Sequence, residues 1–370
     1  MDSIDRAHAV RVSLRGTKRV ICARAMSRVE TASITSSEPS RNTAVEEVLY
    51  VGIDEAGYGP LLGPLCVGMC AFRVPASLFT PLAPNLWSTL AAGVCRKGKD
   101  RRRRIAVDDS KKLKLQGEEP LRLLERGVLA SLAAGEDGAM PTDDAAYFRA
   151  VGATLPHEDD APWYRDVLPL PCNIELPDAR IAAQLLRRAL KQANCTMAAL
   201  RVTTLDANPF NQLYARLGNK GVLNMSLVLT QLESARGLAR GARVVAAIDR
   251  QGGRAEYAEA LSRRFPADTV STIREDDELS TYRVEGETGK LDVAFATRSE
   301  ERHLPTALAS MAAKYTRELA MRRLNGWFLA RQPGLAPTAG YVQDGLRFLE
   351  QVKPTLLLER VPEEAFVRMA

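Results

Sequence analysis

Residues 48–64 read Val48-Leu-Tyr-Val-Gly-Ile-Asp-Glu-Ala-Gly-Tyr-Gly-Pro-Leu-Leu-Gly-Pro64 and change character twice along the way. Val48–Ile53 is a β-branched and aromatic run of the kind that forms a buried strand. Asp54 and Glu55 end it, and the glycines and prolines that follow make a turn. Leu65–Val74 holds few strong helix formers and reads as a partner strand. Further out, Arg243–Ile248 is a short buried strand stopping at Asp249, and Leu291–Thr297 is another, ending in Arg298-Ser-Glu-Glu301. Pro120–Ala134, Ala179–Ala193 and Leu223–Leu238 carry apolar residues at helical spacing, and Pro305–Phe328 is a long helix pattern with proline in its first turn. Strands alternating with helices predict an α/β or α+β chain on a central sheet.

The chain has 370 residues, 46% hydrophobic and 26% charged, which is the usage of a folded globular protein with one large or two ordinary domains. Its longest apolar stretch, Leu61–Phe72, is broken by Gly and Pro and falls short of the ~18 residues a spanning helix needs, so no membrane partner is expected. Without an apolar leader, a cytoplasmic location is expected. The net charge of +6 is compatible with a polyanionic partner but is mild for this length. Arg96–Arg104 is a dense basic loop. Only Cys66 and Cys70 lie close together among six cysteines, in an apolar segment where buried thiols pack as small hydrophobes. With three histidines, His8, His157 and His303, neither a zinc-ligand spacing nor a Ser–His–Asp hydrolase is supported. The chemistry is expected to rest on carboxylates.

Three separate apolar runs end in acids: Asp54-Glu55, Asp249 and Glu300-Glu301. Strands ending side by side at one sheet edge would bring them together, although strand ends also carry acids simply because they meet solvent. Clustered carboxylates repel unless cations compensate, and Mg²⁺ is a natural compensator that takes a few carboxylates plus phosphate and water. Such a set suits displacement at phosphorus. Successive strand side chains point to opposite faces, so Asp54 and Glu55 can approach one metal pair only if the backbone turns at Glu55. Gly57, Gly59, Pro60, Gly63 and Pro64 supply the means for a turn.

Gly52–Pro64 resembles the opening signature of the ribonuclease HII family, G-[IV]-D-E-A-G-R-G-P-x-x-G-P. Asp109-Ser-Lys-Lys-Leu113 is similar to the family's D-S-K-K-L block, and Ile248-Asp249 with Gly252-Gly-Arg254 to its I-D-G-N-R strand end. Ala309–Glu318 resembles the helix A-S-I-x-A-K-V-T-R-D, and Gly340-Tyr341 falls where the family has K-G-Y. The five blocks occur in family order between 48 and about 350. The resemblance implies a ribonuclease H-like mixed sheet flanked by helices, with a helical C-terminal part that clamps substrate. It implies a catalytic domain over 47–358 with insertions near 75–105 and 135–175, before a tail at 359–370. Residues 1–46, polar and without sustained periodicity, read on their own composition as a disordered extension or an over-long start with Met26 as initiator; an organelle transit peptide is the alternative, against which stand Asp2, Asp5, Glu30 and Glu38.

The activity implied is Mg²⁺- or Mn²⁺-dependent hydrolysis of the RNA strand of RNA–DNA hybrids, or cleavage 5′ of ribonucleotides embedded in duplex DNA. It would leave 5′-phosphate and 3′-hydroxyl ends and be carried out by a monomer. Carried over position by position, the catalytic and metal-holding acids are Asp54, Glu55, Asp249 and Glu300, with Glu301 a rival for the fourth place. Glu275–Glu278 reads better as a solvated charge run. The substrate contacts implied are Gly57, Tyr58 and Gly59, whose backbone closes on the ribose 2′-hydroxyl, then Lys111 and Lys112 on phosphate and Tyr341 on a sugar. Both lysines can equally be read as exposed loop residues, and Lys314 as the partner of an acid. The sequence departs from the pattern with Tyr58 for Arg, Glu300 for Asp, and Arg250-Gln-Gly-Gly-Arg254 after Asp249. Two other functions fit the same residues: a nuclease for another structured nucleic acid, and a non-catalytic nucleic-acid-binding relative.

Overall fold

The computed structural model describes residues 46–369 except 80–82, 118, 137 and 253. The extension expected over 1–46, with Met26, Cys22 and His8, lies outside the described residues but for its last position. Nine strands are described: β1 (Glu47–Ala56), β2 (Leu65–Pro75), β3 (Val94–Cys95), β4 (Ile105–Ala106), β5 (Thr196–Leu205), β6 (Arg243–Asp249), β7 (Thr269–Glu275), β8 (Leu279–Gly286) and β9 (Gly289–Ala296). Seven of them form one mixed sheet in the order β5-β2-β1-β6-β9-β8-β7, while β3 and β4 pair separately. The central strands β1, β6 and β9 run parallel, and antiparallel strands flank them on both sides. A mixed sheet flanked by helices is the architecture that the resemblance implied.

The helices are α1 (Leu86–Thr89), α2 (Ser110–Leu113), α3 (Arg122–Ala134), α4 (Asp144–Val151), α5 (Leu176–Gln192), α6 (Ala207–Leu217), α7 (Lys220–Ala239), α8 (Ala258–Arg264), α9 (Ser299–Arg302), α10 (Leu304–Arg331), α11 (Val342–Leu358) and α12 (Glu363–Phe366). None is long and apolar enough to cross a membrane.

The period of two along β1 sorts its side chains between two cores. Val48 and Tyr50 join Cys66, Cys70 and Phe72 beneath α3, α5 and α10. Leu49, Val51 and Ile53 join Val67, Met69 and the apolar face of α7 on the other side. The thiols of Cys66 and Cys70 are buried, free and pushed upward by that burial, as expected of packing residues.

Helix α10 lies unusually close to the sheet because two strand positions carry no side chain. A Cβ on Gly52 would fall 2.0 Å from Thr306 N, and one on Gly68 would fall 2.2 Å from Ala309 O. Thr306 then donates its hydroxyl to Ala247 O of β6 at 2.9 Å. The first turns of α10 are thereby clamped over the strand ends that carry the acids.

Residues 135–163, acidic and containing proline with no clear period, read from the sequence as a surface insertion, and the structure corrects that reading. Asp143 caps α4, whose Asp144, Tyr147 and Phe148 are buried. Asp144 takes Arg323 Nε of α10 at 2.6 Å, so this acid serves an internal ion pair rather than solvent. Trp163 packs with Trp327, Phe328, Phe348 and Phe366 in a third core formed by the C-terminal helices. Past position 358 the chain returns to the glycine turn, where Arg368 N donates to Leu61 O at 3.0 Å.

Candidate active site

Asp54 and Asp249 stand on neighbouring parallel strands just past their last paired residues, Ile53 and Ile248; Asp249 ends β6, while β1 runs on to Ala56. Alternation puts both on the α10 side: Tyr50 and Gly52 precede Asp54 on that face, and Ala247 precedes Asp249. Asp54 is 8% exposed and accepts a hydrogen bond from Ser310 on α10 as well as the Glu55 backbone N–H at 2.8 Å. Ser310 is in turn bonded to Ser110 at 3.1 Å, so the Asp109-Ser-Lys-Lys block is linked to Asp54 through two hydroxyls.

The fourth acid is reached through a short detour. After β9 the chain passes Arg298 at φ 53° and enters the single turn α9. Ser299 N donates to Asp249 Oδ1 at 2.9 Å, and the Glu300 side chain shares a hydrogen bond with Asp249. Glu301 points elsewhere, to Lys112 at 3.1 Å, with Arg96 Nη2 on its carbonyl at 2.6 Å. Of the run Glu275–Glu278, Glu275 ends β7 and the other three residues connect it to β8, where Arg250 donates to the carbonyls of Asp276 and Asp277.

The backbone does not turn at Glu55. Strand β1 stays paired with β2 through Ala56, and the left-handed residue is Gly57 at φ 86°. Glu55 therefore leaves on the α7 side, where Gln251 Nε2 donates to its Oε2 at 2.9 Å and Asn224 adds a second amide donor. Asn224 also donates to Gln251 Oε1, which orients both amides. Neutral donors hold this carboxylate in place without cancelling its charge.

Burial raises all four acids, and the charge of neighbouring acids adds to it at Asp54, Asp249 and Glu300. Asp54 stands well above the usual carboxylate range through burial first, then the charges of Glu55 and Asp249. Burial also raises Glu55, against its two amide bonds and the Lys111 charge. Asp249 is raised by burial and by Glu55, against the Ser299 N–H. Glu300 is pushed up to about 7, by burial and then by the Asp249 charge. Its Oε2 is buried with no hydrogen-bond partner. Among the described residues no three His, Cys, Asp or Glu side chains are already gathered at metal-ligand spacing. The donor set nevertheless suits a hard divalent cation: carboxylate oxygens only, one of them orphaned, and like charges that a cation would relieve.

Around the acids, Tyr58 is half-buried with Lys220 5.1 Å over its ring, and it lines a pocket of about 440 Å³ with Glu55, Asn224 and Gln251. Glycine at 57 and 59 was expected to permit an unusual φ; Gly57 has one, but the φ of Gly59 is not left-handed, and a Cβ there would meet nothing within 4 Å. Tyr341 is 55% exposed and lines a cleft of about 780 Å³ with Lys111, Lys314 and Arg317. Lys112 is engaged with Glu301, and Lys314 pairs with Glu318 at 2.9 Å, as read from the sequence. Arg317, 2% exposed, donates to Pro64 O, Leu62 O and Ala339 O at 2.8–3.1 Å, and Leu61 N and Leu62 N donate to Gly340 O. The glycine turn and the Tyr341 loop are thus one braced unit.

Sequence reasoning missed Ser110, Ser310, Asn224, Gln251 and the bracing role of Arg317. Ser310 and Arg317 lie inside the quoted helix block and Ser110 inside the lysine block, so their positions were visible though their contacts were not.

No protein-family model and no curated protein matches this chain. Among solved structures it resembles ribonucleases HII and HIII. A ribonuclease HII of Archaeoglobus fulgidus, determined with PCNA, is 14% identical at a TM-score of 0.36, covering 87% of this chain and 94% of that one. A ribonuclease H2 of Pyrococcus horikoshii OT3 is 12% identical at 0.39, covering 86% and 92%. The ribonuclease HIII called Bst-RNase HIII, determined with Mn²⁺, is 15% identical at 0.37, covering 88% and 67%.

Proposed function

We propose that this protein is a Mg²⁺- or Mn²⁺-dependent endonuclease of ribonuclease H type. It hydrolyses the RNA strand of RNA–DNA hybrids, or cuts 5′ of a ribonucleotide embedded in duplex DNA, leaving 5′-phosphate and 3′-hydroxyl ends. Residues 47–358 are its catalytic domain, and it works as a cytoplasmic monomer. The observation that carries this reading is the convergence of Asp54, Asp249 and Glu300, from three distant segments, on one face at the end of two parallel strands, with Glu55 coupled to them across β1.

Asp54, Asp249 and Glu300 would hold the cations from the α10 side, and Glu55 from the α7 side. Bound there, divalent cations supply Lewis-acid activation of water and of the scissile phosphodiester. The protein's own part is positional. Ser310 and the Glu55 N–H fix the Asp54 carboxylate, Ser299 fixes Asp249, and Gln251 with Asn224 fixes Glu55. Gly57 and Gly59 carry no side chain on either side of Tyr58, so that the backbone there can meet a ribose hydroxyl, the group that separates RNA from DNA. Tyr58 and Tyr341 offer ring faces to sugar or base, and Lys111 a charge to phosphate.

The test is an end-labelled duplex carrying one embedded ribonucleotide, run beside a full RNA–DNA hybrid, a DNA duplex and an RNA duplex, with Mg²⁺ or Mn²⁺. Cuts confined to the ribonucleotide-containing strands of the first two are expected, and Asp54→Asn should abolish them while duplex binding persists. Folded protein that cuts none of them, or an Asp54→Asn variant with unchanged turnover, overturns the proposal.

A further inference from the structure

The loop between β3 and β4 carries Lys97, Lys99, Arg101, Arg102 and Arg103, all exposed. Among the described residues none of these five side chains pairs with an acid. Their neighbours in the run are committed, and those commitments shape the loop. Arg104 closes it onto Asp100 at 2.8 Å. Arg126, anchored to Asp178, donates to the carbonyls of Arg103 and Arg104 at 2.7 and 2.9 Å. At the other end Arg96 stacks 3.5 Å over Trp87 and reaches the carbonyl of Glu301, one residue from Glu300. A loop tied at both ends holds five unneutralised cations, and its Arg96 root touches the segment that carries Glu300, with little ordering left to be done on binding.

From this arrangement we infer that the 96–104 loop is a docking strip for the sugar-phosphate backbone of the nucleic acid duplex flanking the cut, on the Glu301 side of the site. The inference rests on the nuclease reading for the identity of the duplex, but its chemistry is separate. Phosphate contacts position a duplex without reading its sequence or sugars, so the strip contributes equally to hybrid and to all-DNA duplex. Each such contact releases condensed counterions, and the strip therefore acts on the salt dependence of binding rather than on turnover.

The test is fluorescence anisotropy of the full chain with a labelled RNA–DNA hybrid and a DNA duplex of equal length, titrated with KCl in EDTA. A Lys97→Gln, Lys99→Gln, Arg101→Gln, Arg102→Gln variant should lower the slope of log affinity against log salt by about 0.9 per lost contact, so by roughly 3–4 on both duplexes. Turnover with Mg²⁺ at saturating hybrid should stay at the wild-type value. A charge-matched control with Arg149, Arg188, Lys191 and Arg216 changed to Gln on α4, α5 and α6 should leave the slope near wild type. The single variants Arg101→Gln and Arg102→Gln, each lowering the slope by about 0.9, answer the same question if the quadruple variant folds poorly. An unchanged slope, or an equal fall in the control, overturns the strip. Wild-type protein that binds with the loop-dependent slope yet cuts nothing defeats the nuclease reading and leaves the strip standing.

Discussion

Ser299 donates its backbone N–H to the Asp249 carboxylate at 2.9 Å, which bonds the end of β6 to the residue just before Glu300. With Asp249 held from that side, the Glu300 carboxyl shares a hydrogen bond with it, whereas Glu301 is turned toward Lys112. The contest between the two adjacent acids therefore has a structural answer that can be put to the bench. Glu300→Gln should lower turnover by at least about 100-fold, the scale on which even the partners of metal ligands act. Glu301→Gln removes an exposed pair and should change turnover little. Single-turnover cleavage of an RNA–DNA hybrid by both variants decides, and the reverse ranking would move the fourth acid to Glu301.

Repulsion among the site acids makes the metal-free protein sensitive to alkaline pH. Glu300 sits at about 7 against an ordinary 4.5, so the folded chain holds that proton more tightly than the unfolded chain. Its contribution to stability is fully present below about 4.5 and is lost as pH rises through about 7. His303 works in the other direction. Its value is lowered to about 4 by burial, so its contribution is present above 6.5 and lost as pH falls toward 4. Comparing wild type with Asp54→Asn isolates the acids. In EDTA at about pH 8.5 the variant should be more stable by on the order of 1 kcal/mol, about 2 °C in Tm for a chain this long, and the gap should narrow at about pH 5.5. Mg²⁺ should stabilise the wild type more than the variant. Equal melting curves at both pH values would mean that the acids do not repel.

What could be read from the residues, and what could not, follows the distance over which each feature is determined. β1, β2, β6, β9 and α10 are dense in apolar residues that are buried wherever the strands and the helix go, and each was legible. β7 was not, because its residues are almost all exposed and no hydrophobic period marks it. Segment 135–163 was misread because one of its acids, Asp144, is buried in an ion pair with Arg323, 179 positions away, and so anchors a helix in the core. The acids were visible as strand ends. The side chains that aim them, Ser310, Gln251 and Asn224, were not, since nothing near them in sequence says which carboxylate they will meet. The expected turn at Glu55 rested on a local rule, yet pairing of β1 with β2 through Ala56 carries the strand one residue further.

Gly52 beneath α10 and Gly57 in the turn after β1 should respond to alanine alike, and Gly59 in the same turn differently. A Cβ at Gly52 collides with backbone at Thr306 and Pro305, which cannot retreat without lifting α10 off the sheet. Gly52→Ala should be expressed insoluble or lose roughly 3 kcal/mol or more. Gly57→Ala meets both a positive φ and Pro64 O at 2.6 Å, so it too should be destabilised. Gly59→Ala has open space and an ordinary backbone, and its Tm should match wild type. If the turn approaches a ribose, however, KM for a hybrid should rise in Gly59→Ala while kcat changes less. An unchanged KM would remove Gly59 from the substrate contact.

Arg317 offers the last test, because its job can be separated from the chemistry. Buried without an adjacent carboxylate bond, it spends its guanidinium on three carbonyls, at Leu62 and Pro64 in the glycine turn and at Ala339 before Tyr341. A lysine keeps the charge but has no planar fork, so Arg317→Lys cannot serve both loops at once. Losing two such bonds should destabilise the fold by on the order of 3 kcal/mol. The sharper expectation concerns where the functional loss appears. The acids are held by Ser310, Ser299, Gln251 and Asn224, none of which Arg317 touches, so the Mg²⁺ concentration giving half-maximal cleavage should stay as in wild type. The glycine turn and the Tyr341 loop would then be tied only through the Leu61 and Leu62 N–H bonds to Gly340 O, and KM for the duplex should rise severalfold, below the melting temperature of the variant. A shift in the Mg²⁺ requirement with KM unchanged would show instead that Arg317 supports the metal-holding acids and that the braced unit has no part in gripping substrate.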